Sequence, residues 1–145
     1  MPQVYDNTDL TWTFRGDFTL GHNGDLADTE YDPLRSLHQE IRTRLKADLG
    51  DWLLNKDIGA SLGDYVGEPN NKTTATALKT RIIGALTKFG LVDSRDIKVS
   101  FMPIDIDKIL FRIAITVAAT AANKSSTELL ISTIYNYSEN NVYMF

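Results

Sequence analysis

Residues 97–137 have the sequence IKVSFMPIDIDKILFRIAITVAATAANKSSTELLISTIYNY, and this stretch decides the fold. It contains three runs in which apolar and polar side chains alternate, the pattern of a strand with one buried face. The inward positions are Ile97, Val99 and Phe101, then Phe111, Ile113, Ile115 and Val117, then Leu129, Ile131, Thr133 and Tyr135. The turn-rich links PIDIDK and TAANKSS have lengths that suit hairpins. The stretch therefore predicts a three-stranded antiparallel meander.

Two amphipathic helices are predicted before this sheet. Asp32 can accept hydrogen bonds from first-turn amides, and Pro33 has no amide to leave unpaired, so a helix begins there and Gly50 stops it. Its apolar stripe consists of Leu34, Leu37, Ile41, Leu45 and Leu49. The second helix is predicted from 71–74 to Gly90. Its buried side chains are Leu78, Ile82, Ile83, Leu86 and Phe89.

The segment 51–71 joins the helices and is rich in glycine, without a sustained period, so it predicts a loop with one helical turn at 60–65. Its apolar residues are Trp52, Leu53, Leu54, Ile58, Leu62, Tyr65 and Val66. They are too many for a solvated linker, and we expect the loop to pack against the core. Near the N-terminus, Leu10, Trp12 and Phe14 alternate as in a strand, and Asn23-Gly24 indicates a type I′ turn.

The predicted fold class is α+β, with two amphipathic helices packed on a C-terminal antiparallel sheet and a short β-rich N-terminal segment. At 145 residues we expect one domain with its core over 9–137, and we find no internal repeat. The chain has no cysteine, which excludes disulfides, thiolate zinc sites and a cysteine nucleophile. A net charge of -4 lowers the expectation of nucleic-acid binding. The first residues lack a signal-peptide pattern, so we expect a cytoplasmic chain that does not cross a membrane.

The residue types that carry catalysis do not form a recognisable site in this sequence. His22 lies in an aspartate-rich turn and His38 has no histidine or carboxylate partner at helical spacing. The aspartates 25, 28 and 32 do not have the spacing of a calcium loop. Ser61 is the centre of a G-x-S-x-G match, but no buried strand precedes it, as a nucleophile elbow requires. We therefore expect no catalytic centre, no metal and no cofactor.

A combination of motifs is more specific than any of these single features. It begins with GDFTLGHNGDLADTEYDPLRSLHQEIRTRLKADLGDW at 16–52 and continues with the turn 59–62, Glu68-Pro69, the second helix and Asp93-Ser94-Arg95 before an alternating strand. In this order, over about residues 9–137, the motifs resemble the small baseplate wedge proteins, or tail sheath initiators, of contractile-tailed bacteriophages. The family carries a lysozyme-like label and is similar to a baseplate component of type VI secretion systems.

The resemblance implies a structural protein of the virion, assembled in the host cytoplasm, whose partners are other baseplate wedge proteins and the tail sheath protein. The family's Glu-Pro-Arg triplet is Asp93-Ser94-Arg95 here, so the proline is lost while the charges are kept. By resemblance, Asp93 and Arg95, with Glu68 and Pro69, contact the helical bundle of the wedge. The alternative is that Asp93 and Arg95 form only a local surface ion pair.

The resemblance also implies that the sheet offers a strand edge to the sheath protein. The third run has one charge, Glu128, and no proline to block its edge. We expect strand addition there, through Leu129, Ile131, Thr133 and Tyr135. The alternative is that the N-terminal residues 10–15 cover this edge.

At the C-terminus, Tyr143 and Phe145 belong to an apolar tail with no strand length of its own, and we expect them to anchor a partner. Two other functions remain open at this point. One is a small glycan hydrolase that uses carboxylates such as Asp51 and Glu68. The other is a baseplate component of a cellular contractile injection system.

Overall fold

The computed structural model describes residues 9–13, 17–30, 32–117 and 126–144. Its helices are α1 (Pro33–Lys46) and α2 (Lys72–Thr87), with short 3₁₀ turns at Leu62–Tyr65 and Lys88–Gly90. The strands are β1 (Ile97–Pro103), β2 (Lys108–Val117), β3 (Thr127–Asn136) and β4 (Asn141–Met144). The predicted α+β class is confirmed. The chain divides into two compact units at residues 40 and 41, and α1 contributes to both.

The sheet is an antiparallel meander in the order β1-β2-β3-β4. The predicted alternation is confirmed along β2, where the side chains at positions 109, 111, 113, 115 and 117 are all buried. Val99 pairs with Ile113, and Ile113 pairs with Ile131, so these three form one row across the inward face. Most of the predicted TAANKSS link lies outside the described residues.

A fourth strand extends the meander beyond the three that the sequence indicates. Residues 141–144, expected to have no strand length of their own, pair with 133–136 of β3 through the turn at 137–140. Asn140 takes a positive φ of 48° in this turn, a conformation that asparagine tolerates better than most residues. Val142 and Met144 are buried on the inward face. The strand forms because β3 supplies the hydrogen-bonding partner that four residues lack alone.

Helix α2 agrees closely with its prediction. The side chain of Asn71 accepts a hydrogen bond from the amide of Thr74 at 2.9 Å, which caps the first turn. The helix packs beside β1 and buries Leu78, Ile82 and Leu86 completely. The prediction was wrong for Phe89, which is 60% exposed. Phe89 follows the α-helix and has a positive φ of 56°, so the helical period no longer directs its side chain inward.

Helix α1 begins where the sequence predicts and ends earlier. Asp32 Oδ1 accepts from the amide of Arg35 at 3.1 Å, as expected of an N-cap. The helix ends at Lys46, because the carbonyl oxygens of Arg44 and Ala47 accept hydrogen bonds from the amide of Ala60, at 3.0 and 3.1 Å. The predicted stripe is therefore wrong for its last member, since Leu49 lies beyond the helix and is 54% exposed.

The N-terminal unit contains an eight-residue repeat that the sequence analysis overlooked. Asp9–Gly16, Asp17–Gly24 and Asp25–Asp32 each begin with aspartate, an apolar residue and a small residue. The third residues of the three repeats are Thr11, Thr19 and Ala27. Their main chains form a closed ring of hydrogen bonds. The amide of Thr11 donates to Ala27, that of Ala27 to Thr19 and that of Thr19 to Thr11, at 2.8, 2.8 and 3.1 Å.

In the same unit, the predicted N-terminal strand is reduced within the described residues to isolated bridges at Leu10 and Trp12. Gln39 on α1 is buried, and its amide accepts from the Trp12 amide at 3.2 Å and donates to the Leu10 carbonyl at 3.1 Å. The Gln39 side chain thus makes the hydrogen bonds to the main chain that a neighbouring strand would otherwise make. Phe14 lies outside the described residues. The turn at Asn23-Gly24 is present, but only Gly24 has a positive φ, so it is not type I′.

The segment 51–71 is a loop with a helical turn, as predicted, but only part of it is buried. Ala60 and Leu62 are 4% and 3% exposed. The expectation of core packing was wrong for Trp52, Leu53, Leu54 and Val66, which are 48%, 88%, 102% and 48% exposed. The amide of Asn55 donates to the Trp52 carbonyl at 3.2 Å. A tight turn therefore places the two leucines at its corner, where neither can reach the core.

Candidate interaction site

The turn 59–62 connects the end of α1, helix α2 and the sheet within the unit that begins at Ile41. Its amides at Ala60 and Ser61 donate to the last carbonyl oxygens of α1, which have no partner within the helix. Gly59 has a φ of 136°, and an added Cβ would lie 2.7 Å from the carbonyl carbon of Asp48, so only glycine fits. Ser61 has a positive φ of 49° and starts the 3₁₀ turn.

Ser61 has a structural role in the described chain. It is 6% exposed, and its Oγ accepts from the amide of Leu49 at 2.8 Å. Its carbonyl oxygen accepts from Arg81 Nη1 on α2 at 2.9 Å. Arg81 also pairs with Asp64, and its guanidinium lies 4.9 Å from the centre of the Tyr65 ring. These bonds connect the loop to α2.

A second connection runs from this loop to the sheet. The buried hydroxyl of Tyr135 donates to the Leu62 carbonyl at 2.7 Å and lies 3.2 Å from Asn140 Oδ1. Burial raises the pKa of Tyr135 to about 12, because the phenolate would be desolvated there. A polar cleft of about 140 Å³ lies beside these groups, lined by Leu45, Lys46, Asp48, Leu62, Gly63, Asn140, Asn141 and Val142.

Arg44 links α1 to the end of α2. The side chain is 6% exposed, and its Nη1 donates to the carbonyl oxygens of Ala85 and Lys88 at 3.0 and 2.6 Å. These carbonyls belong to the C-terminal turn of α2, where a cation also interacts favourably with the helix dipole. The apolar stripe predicted for α1 does not include Arg44. A basic residue beside an apolar stripe was the available signal.

Asp93 and Arg95, the pair predicted to contact the wedge, form a clasp between α2 and β1. Asp93 Oδ1 accepts from the amide of Arg95 at 2.9 Å and from its Nε at 3.2 Å, while Oδ2 lies 3.0 Å from Nη2. This contact holds the pKa of the Asp93 carboxyl at about 2, well below its usual range, mainly through the hydrogen bond from the Arg95 side chain. The Arg95 side chain is nevertheless 76% exposed.

Glu68 and Pro69, the other two residues assigned to the same contact, lie elsewhere. They are exposed and precede the N-terminus of α2, whereas Asp93 and Arg95 follow its C-terminus. A helix of 16 residues separates the pairs by about 24 Å. The structure thus gives two surfaces rather than one patch. Next to Pro69, Asn70 Nδ2 donates to the carbonyl oxygens of Asp105 and Lys108, which fixes this end to the β1–β2 turn.

The strand assigned to sheath contact is β3, and β4 covers only part of its edge. Thr133 and Tyr135 lie in the paired half, opposite Met144 and Val142. Along residues 128–132, the edge of β3 that faces away from β2 pairs with no strand within the described residues. The side chains of Ile131, Thr133 and Tyr135 are 0% exposed on the inward face. They can stabilise the strand but cannot contact a partner while the core is intact.

The structure places two further segments that the sequence analysis assigned to this edge or to a partner, namely the N-terminal residues 10–15 and the C-terminal tail. Residues 10–13 pair with 17–20 and 26–29 inside the N-terminal unit. Tyr143 lies in β4, opposite Ile134 on the outward face, and its hydroxyl donates to Glu139 Oε2 at 3.2 Å. Phe145 lies outside the described residues. The role of the tail as a partner anchor stays a prediction.

The groups considered for chemistry are dispersed in the part of the chain that the structure describes. Asp51 Oδ2 accepts from the amide of Asp48 at 2.8 Å within a turn, and Glu68 is exposed near α2. No group of three or more histidine, aspartate or glutamate side chains within these residues could hold a metal ion. No helix among them is long and apolar enough to cross a membrane.

No protein-family model, curated protein or solved structure matches the chain.

Proposed function

We propose that this chain is a structural, non-catalytic component of a contractile-tail baseplate wedge that joins the wedge to the tail sheath and initiates sheath assembly. It would act in the virion, within a symmetric assembly of wedge and sheath proteins, after assembly in the host cytoplasm. The order of motifs over residues 9–137 supports the proposal by resemblance. The open half of the β3 edge is the structural observation that carries it.

The open segment, residues 128–132, has the length and composition for strand addition. Five residues span about 17 Å, close to the common length of a strand in globular proteins. Glu128 is its one charged residue and it contains no proline, so nothing in its sequence blocks a pairing chain. An incoming extended segment would gain main-chain hydrogen bonds there without disturbing the pairing of β3 with β2.

The side chains of this segment have two different roles, since some stabilise the strand and others are available for recognition. Ile131 is buried and pairs with Ile113, which holds the strand in position. Leu130, on the outward face, is 48% exposed and lies where a paired strand would place its own outward side chains. We propose that affinity comes from the main chain and that Leu130 contributes to specificity.

The proposed wedge contact uses Arg95. The clasp with Asp93 engages Nε and Nη2, and it leaves the Nη1 donors of this exposed guanidinium for a partner. A carboxylate or a set of helix-end carbonyls on the wedge would complete these hydrogen bonds. Because Asp93 restrains the side chain in advance, less conformational entropy is lost on docking.

The test compares Arg95→Glu with the matched variant Arg112→Glu, which changes an exposed arginine on β2. Both variants should keep the wild-type circular dichroism spectrum, because both side chains are exposed. In infected cells that express only the variant, Arg95→Glu is expected to be absent from purified baseplates, while Arg112→Glu is incorporated. Normal incorporation of both variants would show that Arg95 is not needed for the wedge contact. Absence of the wild-type chain from baseplates would contradict the proposed function.

A further inference from the structure

The loop after α1 ends in an exposed apolar tip formed by Trp52, Leu53 and Leu54. Their exposed fractions are 48%, 88% and 102%, so Leu54 has no contact that shields it from water. The two leucines occupy the central positions of the turn closed by the Asn55 amide and the Trp52 carbonyl. Turn centres ordinarily carry glycine, proline, asparagine, aspartate or serine. Large apolar side chains at these positions need a reason outside the folded chain.

Hydrogen bonds order the main chain at the base of the tip. The amide of Gly50 donates to the Lys56 carbonyl at 2.9 Å and closes the loop at its base. Asp51 Oδ2 accepts from the amide of Asp48 at 2.8 Å, and the Leu49 amide donates to the buried Ser61 Oγ at 2.8 Å. A loop whose main chain is already ordered loses less conformational entropy on binding, which favours its use as an interface anchor.

The charges at the base of the loop restrict what can receive the tip. Three aspartates, at 48, 51 and 57, and one lysine, at 56, lie within ten residues. The three carboxylates make no ion pair within the described residues. An anionic lipid surface would therefore repel the loop, because membrane-binding loops combine apolar groups with basic ones. A protein surface with basic residues around an apolar depression is complementary.

A second copy of this chain is a poor receiver. Three side chains present a few hundred Å² at most, whereas a stable interface buries about 800 Å² on each partner. Two tips in contact would thus make only a weak dimer. A concave partner surface would bury the tip from several sides and add contacts around its base.

We infer that the Trp52–Leu54 tip is an anchor that inserts into an apolar pocket with a basic rim on a different protein. The inference concerns a different element from Arg95 and from the β3 edge. It does not depend on the baseplate proposal, and its failure would leave that proposal intact.

The test begins with photo-crosslinking in the cells that make the full chain. p-Benzoylphenylalanine replaces Leu53 in one variant and Ile106, which is 89% exposed at the β1–β2 turn, in the matched control. The expected result is a crosslink from position 53, absent from position 106, to a single protein whose attached residue lies in an apolar pocket. A crosslink to a second copy of this chain or to lipid would overturn the inference, as would the absence of a crosslink from position 53 or equal labelling from both positions.

Binding of the purified crosslinked protein then decides whether the tip supplies the affinity. The double variant Leu53→Ser/Leu54→Ser should keep its thermal stability, because both side chains are exposed. Its Kd, measured by isothermal titration calorimetry, should rise by about 30-fold or more, as for removal of an anchor, while Ile106→Ser leaves the Kd unchanged. An unchanged Kd for the double variant would overturn the inference.

Discussion

The hydroxyl of Tyr135 donates a hydrogen bond to the carbonyl oxygen of Leu62, 73 residues earlier in the chain, at 2.7 Å. The bond joins the strand whose edge is proposed to receive the sheath protein to the turn that ends α1. Because Tyr135 is 0% exposed, no water can replace this donor. The open half of β3 is therefore one end of a strand whose other end is fixed by the loop and by β4.

Removal of this hydroxyl should weaken the fold. We expect Tyr135→Phe to lower the free energy of unfolding by about 1–2 kcal/mol, because the ring stays packed while the buried Leu62 carbonyl loses its donor. Urea denaturation measures the change. Tyr143→Phe is the matched control, since its hydroxyl bonds an exposed carboxylate, and it should cost less than about 0.5 kcal/mol. Equal losses in the two variants would contradict the assigned role of the Tyr135 hydroxyl.

The raised pKa of Tyr135 predicts a loss of stability at high pH. An unfolded tyrosine ionises near pH 10, whereas Tyr135 ionises in the folded chain at about 12. Between these values the unfolded chain releases a proton that the folded chain keeps, so stability falls as pH rises through this range. A spectrophotometric phenolate titration should show a late component, to which Tyr137 also contributes because burial raises its pKa, and Tyr135→Phe should reduce this component. A late component of undiminished amplitude in Tyr135→Phe would contradict the raised pKa of Tyr135.

Gly59 should not accept any side chain. An alanine there would need a φ of 136° and would place Cβ 2.7 to 2.8 Å from main-chain atoms of Ala47 and Asp48. We expect Gly59→Ala to cost about 3 kcal/mol or more, from backbone strain and overpacking together. Gly67→Ala separates the two effects, because Gly67 has a φ of 82° and open space around it, and it should cost about 1–2 kcal/mol. Thermal denaturation of both variants would reveal an equal cost if the close contact were unimportant.

The Asp93–Arg95 clasp should be visible in the titration of one carboxyl group. Nuclear magnetic resonance should give Asp93 a pKa of about 2, and Arg95→Ala should return it towards about 3.9. The folded pKa lies below the unfolded one, so the stabilisation from the clasp is present above about pH 4 and is lost as pH falls through about 2. An Asp93 pKa that does not respond to Arg95→Ala would show that the pair is not formed in solution.

The elements that the sequence predicts correctly are those determined by local chemistry. Asp32 and Asn71 cap their helices with short side chains that bond amides three residues on. The alternation in β2 and β3 persists over ten residues each, enough for the period to be unambiguous. These features require no knowledge of distant residues.

The features that sequence analysis missed depend on distant partners. Four residues of β4 form a strand only because β3 lies beside them. Arg44 is buried because the end of α2 presents carbonyl oxygens to it, and these acceptors lie 41 and 44 residues later in the chain. Leu53 and Leu54 are exposed because a turn places them at its corner, against the general rule for apolar residues. Glu68 and Pro69 were assigned to the same partner contact as Asp93 and Arg95, and α2 separates the two pairs along the chain.

The central claim is that residues 128–132 of β3 receive a strand from the tail sheath protein. Hydrogen–deuterium exchange of the purified chain, with and without that protein, tests it most directly. We predict that complex formation slows exchange of the amides in 128–132 that point away from β2, and that it leaves exchange along β1 unchanged, although β1 forms the opposite edge of the sheet. A complex that forms with no added protection in 128–132, or with protection along β1 alone, would contradict the account.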